Sequence, residues 1–397
     1  MQPLVTVIIP TYNRAVTIKR AIDSVLRQTY KELELIIVDD GSTDNTVEIV
    51  HSYQDKRIRL VCLAGNCGAN IARNTGIKLA KGEYIAFQDS DDEWLEDKLE
   101  IQINYMQQTD KKICYCPYIL YEDTMKKIIP DPSENKEQYG EKIKETLRTG
   151  NVVPAPALVI HKQVIETAGM FDETMRRLQD YEYAIRLCQC SEIAYIDRPL
   201  LNAYRMHNCI SNDIEALLEA FRQIFVKHIN FIDIDVILSY YLYYCKIYDT
   251  EGIYSKDLGE MLNAVKTIVD AEKGKRCVEI IEFMLQWYQF FDKKIYNDDF
   301  VLYGAGIYGR NALKALKSVG AIPKCFWVTH KQQEEEIDGI PIVELPAHSD
   351  QQMSVIVSVG NKMQNELINN LISRGVKEYF VYPPSKYSGI VGGSWGV

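Results

Sequence analysis

The residues best able to do chemistry are carboxylates that follow β-branched runs. Asp39-Asp40 closes the run Leu33 to Val38, and Asp89-Ser90-Asp91-Asp92 closes the run Tyr84 to Phe87. Two carboxylates two residues apart at a strand end can jointly hold a hard divalent cation and the charged phosphates around it. An isolated D-S-D is just as readily an Asx turn or a helix cap, so its meaning depends on what accompanies it. A second signature is Gly304-Ala305-Gly306-Ile307-Tyr308-Gly309. It fits G-x-G-x-x-G between a predicted strand and a predicted helix, the setting in which a phosphate meets a helix N-terminus. Its acidic partner is missing, because Thr329 and His330 stand at the end of the next strand, where a carboxylate would read ribose hydroxyls. Gly304, Gly306 and Gly309 are candidates for a second nucleotide or sugar-nucleotide site. A packing or dimerising role and NAD-dependent chemistry stay open beside it. Cys114-x-Cys116 and Cys188-x-Cys190 lack the further ligands of a zinc site.

Alternating strands and helices must position these groups. Val5 to Ile9 is a buried strand closed by Pro10, and Ile18, Ala21, Ile22 and Val25 carry helical spacing over Thr17 to Leu26. The pattern repeats: Leu33 to Val38, then a helix through Val47 and Val50 capped at Ser42 or Thr43; Ile58 to Leu63, then a helix over Gly68 to Ala80; and Tyr84 to Phe87. This order implies a mainly parallel sheet with helices on both faces. Such sheets bind ligands at the carboxyl ends of their strands, so Asp39 and the Asp89 cluster should face one cleft. Strand signals fade from 213 to 297, which reads as a helical connector. The Tyr240 to Tyr244 run within it suits a helix core better than sugar stacking. A second α/β unit, a Rossmann-like domain, is expected over 298–385, with strands near 300–303, 341–343, 355–359 and 379–381. The Gly-rich residues 386–397 read as a loose tail.

Composition limits the partners. A chain of 397 residues, 47% of them hydrophobic, has material for two to three domains. Forty-five Lys plus Arg against fifty-five Asp plus Glu give a net charge of −10, the wrong sign for holding a phosphate backbone, so nucleic acid is not an expected partner. Ten cysteines without a C-x-x-C pair read as reduced thiols. The N-terminal apolar run precedes the first positive charge, the reverse of a signal peptide, and the most apolar later segment, Val236 to Tyr244, is too short to span a bilayer. Together these features point to the cytoplasm, with peripheral contact at the inner face of a membrane left open.

Several motifs occur in one order: Val7-Ile8-Ile9-Pro10-Thr11-Tyr12-Asn13, Ile37-Val38-Asp39-Asp40-Gly41-Ser42-Thr43-Asp44, Gly68-x-x-x-Ala72-Arg73-Asn74-x-Gly76, and Gly82-Glu83-Tyr84-Ile85 leading into the Asp89 cluster. Gly169-Met170-Phe171-Asp172-Glu173, Gln179-Asp180 and Tyr204-Arg205-Met206-His207 follow. With them, residues 1–212 resemble the family 2 glycosyltransferases, inverting sugar-nucleotide enzymes of the GT-A fold. The resemblance implies that Asp39 accepts the N3 hydrogen of uracil, that Pro10, Thr11 and Tyr12 line the base, and that Arg73 lies nearby. It also implies that Asp89, with Ser90 beside it, faces the ribose and first phosphate, that Asp91 ligates Mg²⁺ or Mn²⁺, and that His207 adds a ligand or contacts the diphosphate. Asp92 is the alternative ligand.

Asp180 matches the base that takes the acceptor's proton. The family's usual preceding Glu is Gln179 here, which removes one like charge and should ease ionisation of Asp180. A glycosyl diphosphate leaves with negative charge on its β-phosphate, and a base on the opposite face activates the acceptor oxygen for in-line attack. One displacement inverts the anomeric centre. The expected activity is transfer from a UDP-sugar to a hydroxyl of a glycan, lipid-linked or protein acceptor in bacterial cell-surface polysaccharide or glycoconjugate synthesis. The competing readings are a nucleotide-sugar-binding scaffold without transfer, favoured only by Gln179, and a bifunctional enzyme whose C-terminal module binds NAD or a sugar nucleotide.

Overall fold

The computed structural model describes residues 2–122, 124–131, 133–205, 213–234, 236–237, 240–241, 254–266, 278, 281–282, 300–305, 309–310, 313, 322–329, 335–346, 354–358, 361–374, 376 and 379–381. The chain divides into two compact units, Met1–Ile237 and Leu238–Val397. Among the described residues no helix is long and apolar enough to cross a membrane.

In the first unit the alternation is realised in order: β1 (Val5–Thr11), α1 (Ile18–Leu26), β2 (Leu33–Asp39), α2 (Thr46–His51), β3 (Ile58–Cys62), α3 (Ala69–Leu79) and β4 (Tyr84–Phe87). β1 and β4 are buried throughout, as strands covered on both faces must be. α1 buries Ile18, Ala21, Ile22, Ser24 and Val25, one apolar stripe at 3.6-residue spacing. The expected cap of α2 at Ser42 or Thr43 is not formed. Ser42 Oγ instead accepts the Asn13 N–H at 2.9 Å, Asp44 Oδ1 accepts the Thr46 N–H at 3.0 Å, and the helix is capped at Asn45.

The chain continues through β5 (Glu93–Trp94), α4 (Lys98–Thr109), β6 (Ile113–Tyr115), β7 (Tyr118–Glu122), β8 (Met125–Ile129), α5 (Ile143–Thr146), β9 (Val159–His161), α6 (Lys162–Ala168), α7 (Gln179–Cys190), β10 (Ile193–Tyr195), β11 (Leu201–Tyr204) and α8 (Ile214–Lys227). The main sheet has seven strands in the order β10-β6-β9-β4-β1-β2-β3. β4, β1, β2 and β3 are parallel, and β9 runs antiparallel between β4 and β6. A smaller sheet, β5-β11-β7-β8, branches off immediately after the Asp89 cluster. Gly76 lets α3 sit down on β1, since a Cβ there would lie 2.5 Å from Ile8 Cγ2.

The second unit holds α9 (Tyr254–Val265), β12 (Phe300–Tyr303), β13 (Phe326–Val328), β14 (Glu336–Ile337), β15 (Ile340–Glu344), β16 (Ser354–Val357), α10 (Asn361–Ser373) and β17 (Tyr379–Val381). Its six strands run β14-β15-β13-β12-β16-β17, parallel except for the β14–β15 hairpin. That hairpin turns on Asp338 and Gly339, both at positive φ, as a two-residue turn of this hand requires. Val301, Tyr303, Trp327, Val355 and Val357 pack with Leu367 and Leu371 into its core. Residues 386–397 and about half of the expected connector lie outside the described residues. α8, placed by its sequence at the start of that connector, is counted in the first unit.

Candidate functional site

Parallel strands bring their carboxyl ends to one edge, and there the first unit opens a cleft of about 680 Å³. Pro10, Thr11 and Tyr12 line it from the end of β1, Arg73 from α3, and Asp89, Ser90 and Asp91 from the turn after β4. Seven of the residues singled out by sequence therefore meet in one place, drawn from three separate segments.

At the β1–β2 end, adjacent aspartates have different tasks. Asp40 uses both oxygens on the backbone N–H groups of Cys67 and Gly68, each at 2.7 Å, and so ties down the loop that enters α3. Asp39 is 2% exposed; its Oδ2 accepts the Ser42 N–H at 2.9 Å, while Oδ1 is buried with no partner. Thr11 Oγ1, on the residue paired with Asp39 across β1 and β2, is also buried and unpartnered. Unmade hydrogen bonds at buried polar atoms are costly, so these oxygens fit a ligand that donates to them.

The acidic turn is braced by arginines. Arg73, 5% exposed, donates to Asp89 Oδ1 at 2.9 Å, and its Nε is buried without a partner. Arg14 Nε lies 3.7 Å from Asp91 Oδ2, and Arg20 donates to the Asp91 carbonyl. Burial, and next the charge of Asp89, raises the Asp91 carboxyl above its ordinary value against the pull of Arg14 and Arg20. Asp92 differs: it is buried beneath the smaller sheet, and its Oδ1 accepts the Tyr204 N–H at 3.1 Å. It does not line the cleft, so Asp91 rather than Asp92 is the carboxylate presented there.

No cluster of three His, Cys, Asp or Glu side chains that could hold a metal ion occurs among the described residues. Asp89 and Asp91 nevertheless form an all-oxygen donor pair suited to Mg²⁺ or Mn²⁺, ions that commonly take one or two carboxylates and fill the remaining positions with substrate phosphate and water. The residues present fit such an ion.

Asp180 sits in the first turn of α7, next to cleft-lining Gln179. Leu178, before it, holds φ 53°, a left-handed conformation that a branched side chain adopts only under constraint. Burial raises the Asp180 carboxyl, Arg73 pulls it down and Asp89 pushes it up, for a net rise. The neutral Gln179 does remove one like charge, but desolvation outweighs that relief. Tyr118, at the start of β7, has its phenol pushed up to about 12 by burial and then by Asp180, which puts a hydroxyl in the surroundings of Asp180. Two residues beyond Asp180, Glu182 is 3% exposed and accepts from Arg186 Nε and Nη2, both at 2.8 Å, and contacts His228 Nε2 at 3.1 Å. This anchors α7 to the end of α8.

The asparagines of the α3 motif explain its link to the later Gly169–Glu173 segment. Asn74 donates to the Phe171 carbonyl and accepts the Phe171 N–H, each at 2.9 Å, while Asn70 donates to the carbonyls of Asp172 and Met175 at 2.8 Å. Two motifs about a hundred residues apart thus form one clamp, which places Glu173, Met175 and Arg176 on the cleft wall. Sequence reading missed Arg14, Asn70, Arg176 and the Asp213–Ala216 helix start as cleft residues. Arg14 and Asn70 lie beside or within quoted motifs, whereas nothing local marks Asp213.

His207 and Gly306 lie outside the described residues. In the second unit a Cβ on Gly309 would stand 1.7 Å from the Gly304 carbonyl oxygen, so Gly309 and Gly304 approach too closely for a side chain there. Ser358 Oγ donates to the carbonyls of Tyr303 and Gly304, and Tyr303 and Thr329 share a hydroxyl hydrogen bond at 3.0 Å.

Residues 6–166 match the family described as Glycosyl transferase family 2. An uncharacterized glycosyltransferase of Rickettsia prowazekii is 37% identical over 210 residues, covering 52% of this chain and 64% of its own length. The Escherichia coli UDP-Glc:alpha-D-GlcNAc-diphosphoundecaprenol beta-1,3-glucosyltransferase WfaP is 45% identical over 122 residues, 30% of this chain and 48% of its own. The chain therefore spans less than two thirds of the length of either relative. Among solved structures, Staphylococcus aureus TarS aligns with a TM-score of 0.55 at 20% identity, covering 73% of this chain and 53% of that one, a likeness of fold.

Proposed function

We propose, from the match of residues 6–166 to glycosyl transferase family 2, that this chain is an inverting glycosyltransferase moving a sugar from a UDP-sugar to a hydroxyl of a lipid-linked glycan in cell-surface polysaccharide synthesis. The observation that carries the reading is the unpartnered, buried Asp39 Oδ1, in register with cleft-lining Thr11, together with the half-buried Asp180 next to cleft-lining Gln179. The name of the E. coli relative supports the donor and acceptor classes: a UDP-linked sugar and a diphosphoundecaprenol-linked one.

Asp39 would accept the imide hydrogen of uracil, with Pro10, Thr11 and Tyr12 around the base and Arg73 and Ser90 toward the ribose and diphosphate. Asp89 and Asp91 are the residues that would hold Mg²⁺ or Mn²⁺, with His207 as a candidate third ligand. When bound, the ion would neutralise charge on the leaving diphosphate. Asp180 would take the proton of the acceptor hydroxyl as its oxygen forms a bond to C1 and the C1–O bond to UDP breaks. An α-linked donor then gives a β-linked product. An acceptor on a lipid carrier implies work at the inner face of a membrane, by peripheral contact.

The test is UDP release from a panel of UDP-sugars with Mn²⁺, with and without a diphosphoundecaprenol-linked acceptor. Asp180→Asn should keep UDP binding within a factor of about two and lose at least about a hundredfold in turnover, the usual contribution of a positioned base. Near-native turnover by Asp180→Asn would remove it from the base role. Binding of UDP-sugars without release from any donor would favour the scaffold reading.

A further inference from the structure

Asp91 reaches the cleft with a guanidinium already beside it, and the three arginines around its turn are held very differently. Arg73 is fixed, its side chain 6% exposed and paired with Asp89 and Asn70. Arg20 lies over the Tyr204 ring, 3.8 Å from its centroid, and donates to the Asp91 carbonyl. Arg14 has only long contacts: 3.7 Å to Asp91 Oδ2, and 3.4 Å and 3.3 Å from Nη1 to the carbonyls of Tyr12 and Asn13. Its backbone is firmly placed, since the N–H donates to Thr46 Oγ1 at 2.8 Å and the carbonyl accepts from Thr17 and Ile18 at 3.0 and 2.8 Å. Arg14 is therefore a fixed stem with a loosely held cationic head on the cleft wall.

We propose that Arg14 is a positioning residue that exchanges partners as the donor loads: it neutralises Asp91 in the empty cleft and moves to the donor diphosphate once a divalent cation takes Asp91. This rests on the glycosyltransferase reading above. A guanidinium and a divalent cation cannot share one carboxylate oxygen without strong like-charge repulsion. The displaced guanidinium is planar and forked, a shape that pairs with phosphate through two hydrogen bonds. Arg73 and Arg20 cannot make the same move without giving up the contacts that hold Asp89 and Tyr204.

The exchange predicts effects of opposite sign. In the full chain, Mn²⁺ binding without nucleotide is followed by the paramagnetic resonance signal of free Mn²⁺, and UDP binding at saturating Mn²⁺ by calorimetry. Arg14→Met should bind Mn²⁺ alone about two- to fivefold more tightly, the equivalent of one partly exposed ion pair removed. The same variant should bind UDP about tenfold or more weakly, as expected for a lost charge-assisted hydrogen bond. Arg176→Met, which removes a cleft cation paired with Asp213 instead, should not tighten Mn²⁺. Unchanged or weaker Mn²⁺ binding in Arg14→Met, unchanged UDP binding, or equal tightening in Arg176→Met would each overturn the exchange. If Asp91→Asn loses Mn²⁺ while Arg14→Met behaves like the native chain, the transferase reading stands and the Arg14 role falls. A native chain that binds neither Mn²⁺ nor UDP removes both.

Discussion

Replacing Glu182 by glutamine tests whether the helix carrying Asp180 is held by charge. The carboxylate makes two parallel hydrogen bonds to Arg186 and one contact to His228, whose Nε2 must carry the proton to face it. The substituted amide would offer one oxygen where two are needed, so an amide N–H would point at a guanidinium N–H. Losing a hydrogen bond between charged groups costs about 1.5–3 kcal/mol, and breaking a fully buried pair about 3–5 kcal/mol. Arg186 is 23% exposed and keeps Nη1 on the Ala168 carbonyl, so water and that bond soften the loss and about 2–3 kcal/mol is expected. For a unit of this size that lowers Tm by about 4–12 °C, readable by circular dichroism and calorimetry on the full chain.

The pH dependence adds a second check. Burial alone would raise the Glu182 carboxyl, but hydrogen bonds from His228 and Arg186 outweigh it and hold it below its ordinary value of 4.5. A carboxylate depressed in the folded state stabilises fully above its unfolded value and loses that contribution as pH falls through the folded one. The gap between native and Glu182→Gln chains should therefore be complete at pH 7 and shrink below about pH 4.5. A Tm change under about 2 °C at pH 7, or a gap undiminished in acid, would refute a charge-held α7.

Two further outcomes are expected. In the proposed base role Asp180 acts ionised and burial raises its carboxyl, so the acid limb of kcat/KM should lie above the pH of an ordinary carboxylate. In Arg73→Met the limb should move higher still, as a favourable cation is gone; a limb unmoved in a pH–rate profile would uncouple the two residues. In the second unit, Gly309→Ala should push Gly309 away from the end of β12, because its methyl would fall on the Gly304 carbonyl oxygen. Hydrogen exchange at Val301 to Tyr303 unchanged from the native chain would contradict that packing.

The alternation of strands and helices to Phe87 was legible because period-2 and period-3.6 patterns record which face is buried, and burial dominates there. The acidic turn was legible for a related reason: polar residues that end a buried strand must sit at the sheet edge. Which of Asp39 and Asp40 keeps an unpartnered oxygen was not legible in residue type, since both are aspartates. It was decided by backbone N–H groups at Cys67 and Gly68 that only the folded chain brings to Asp40. The choice of Asp91 over Asp92 likewise came from β11, whose Tyr204 N–H lies over a hundred residues away. Sequence by itself determined which residue types stand at the ends of which buried strands, because local hydrophobic spacing encodes that. Tertiary structure alone decided which carboxylates stay free, how far Asp180 is desolvated and which arginine can move, because each depends on partners brought close by folding rather than by chain order.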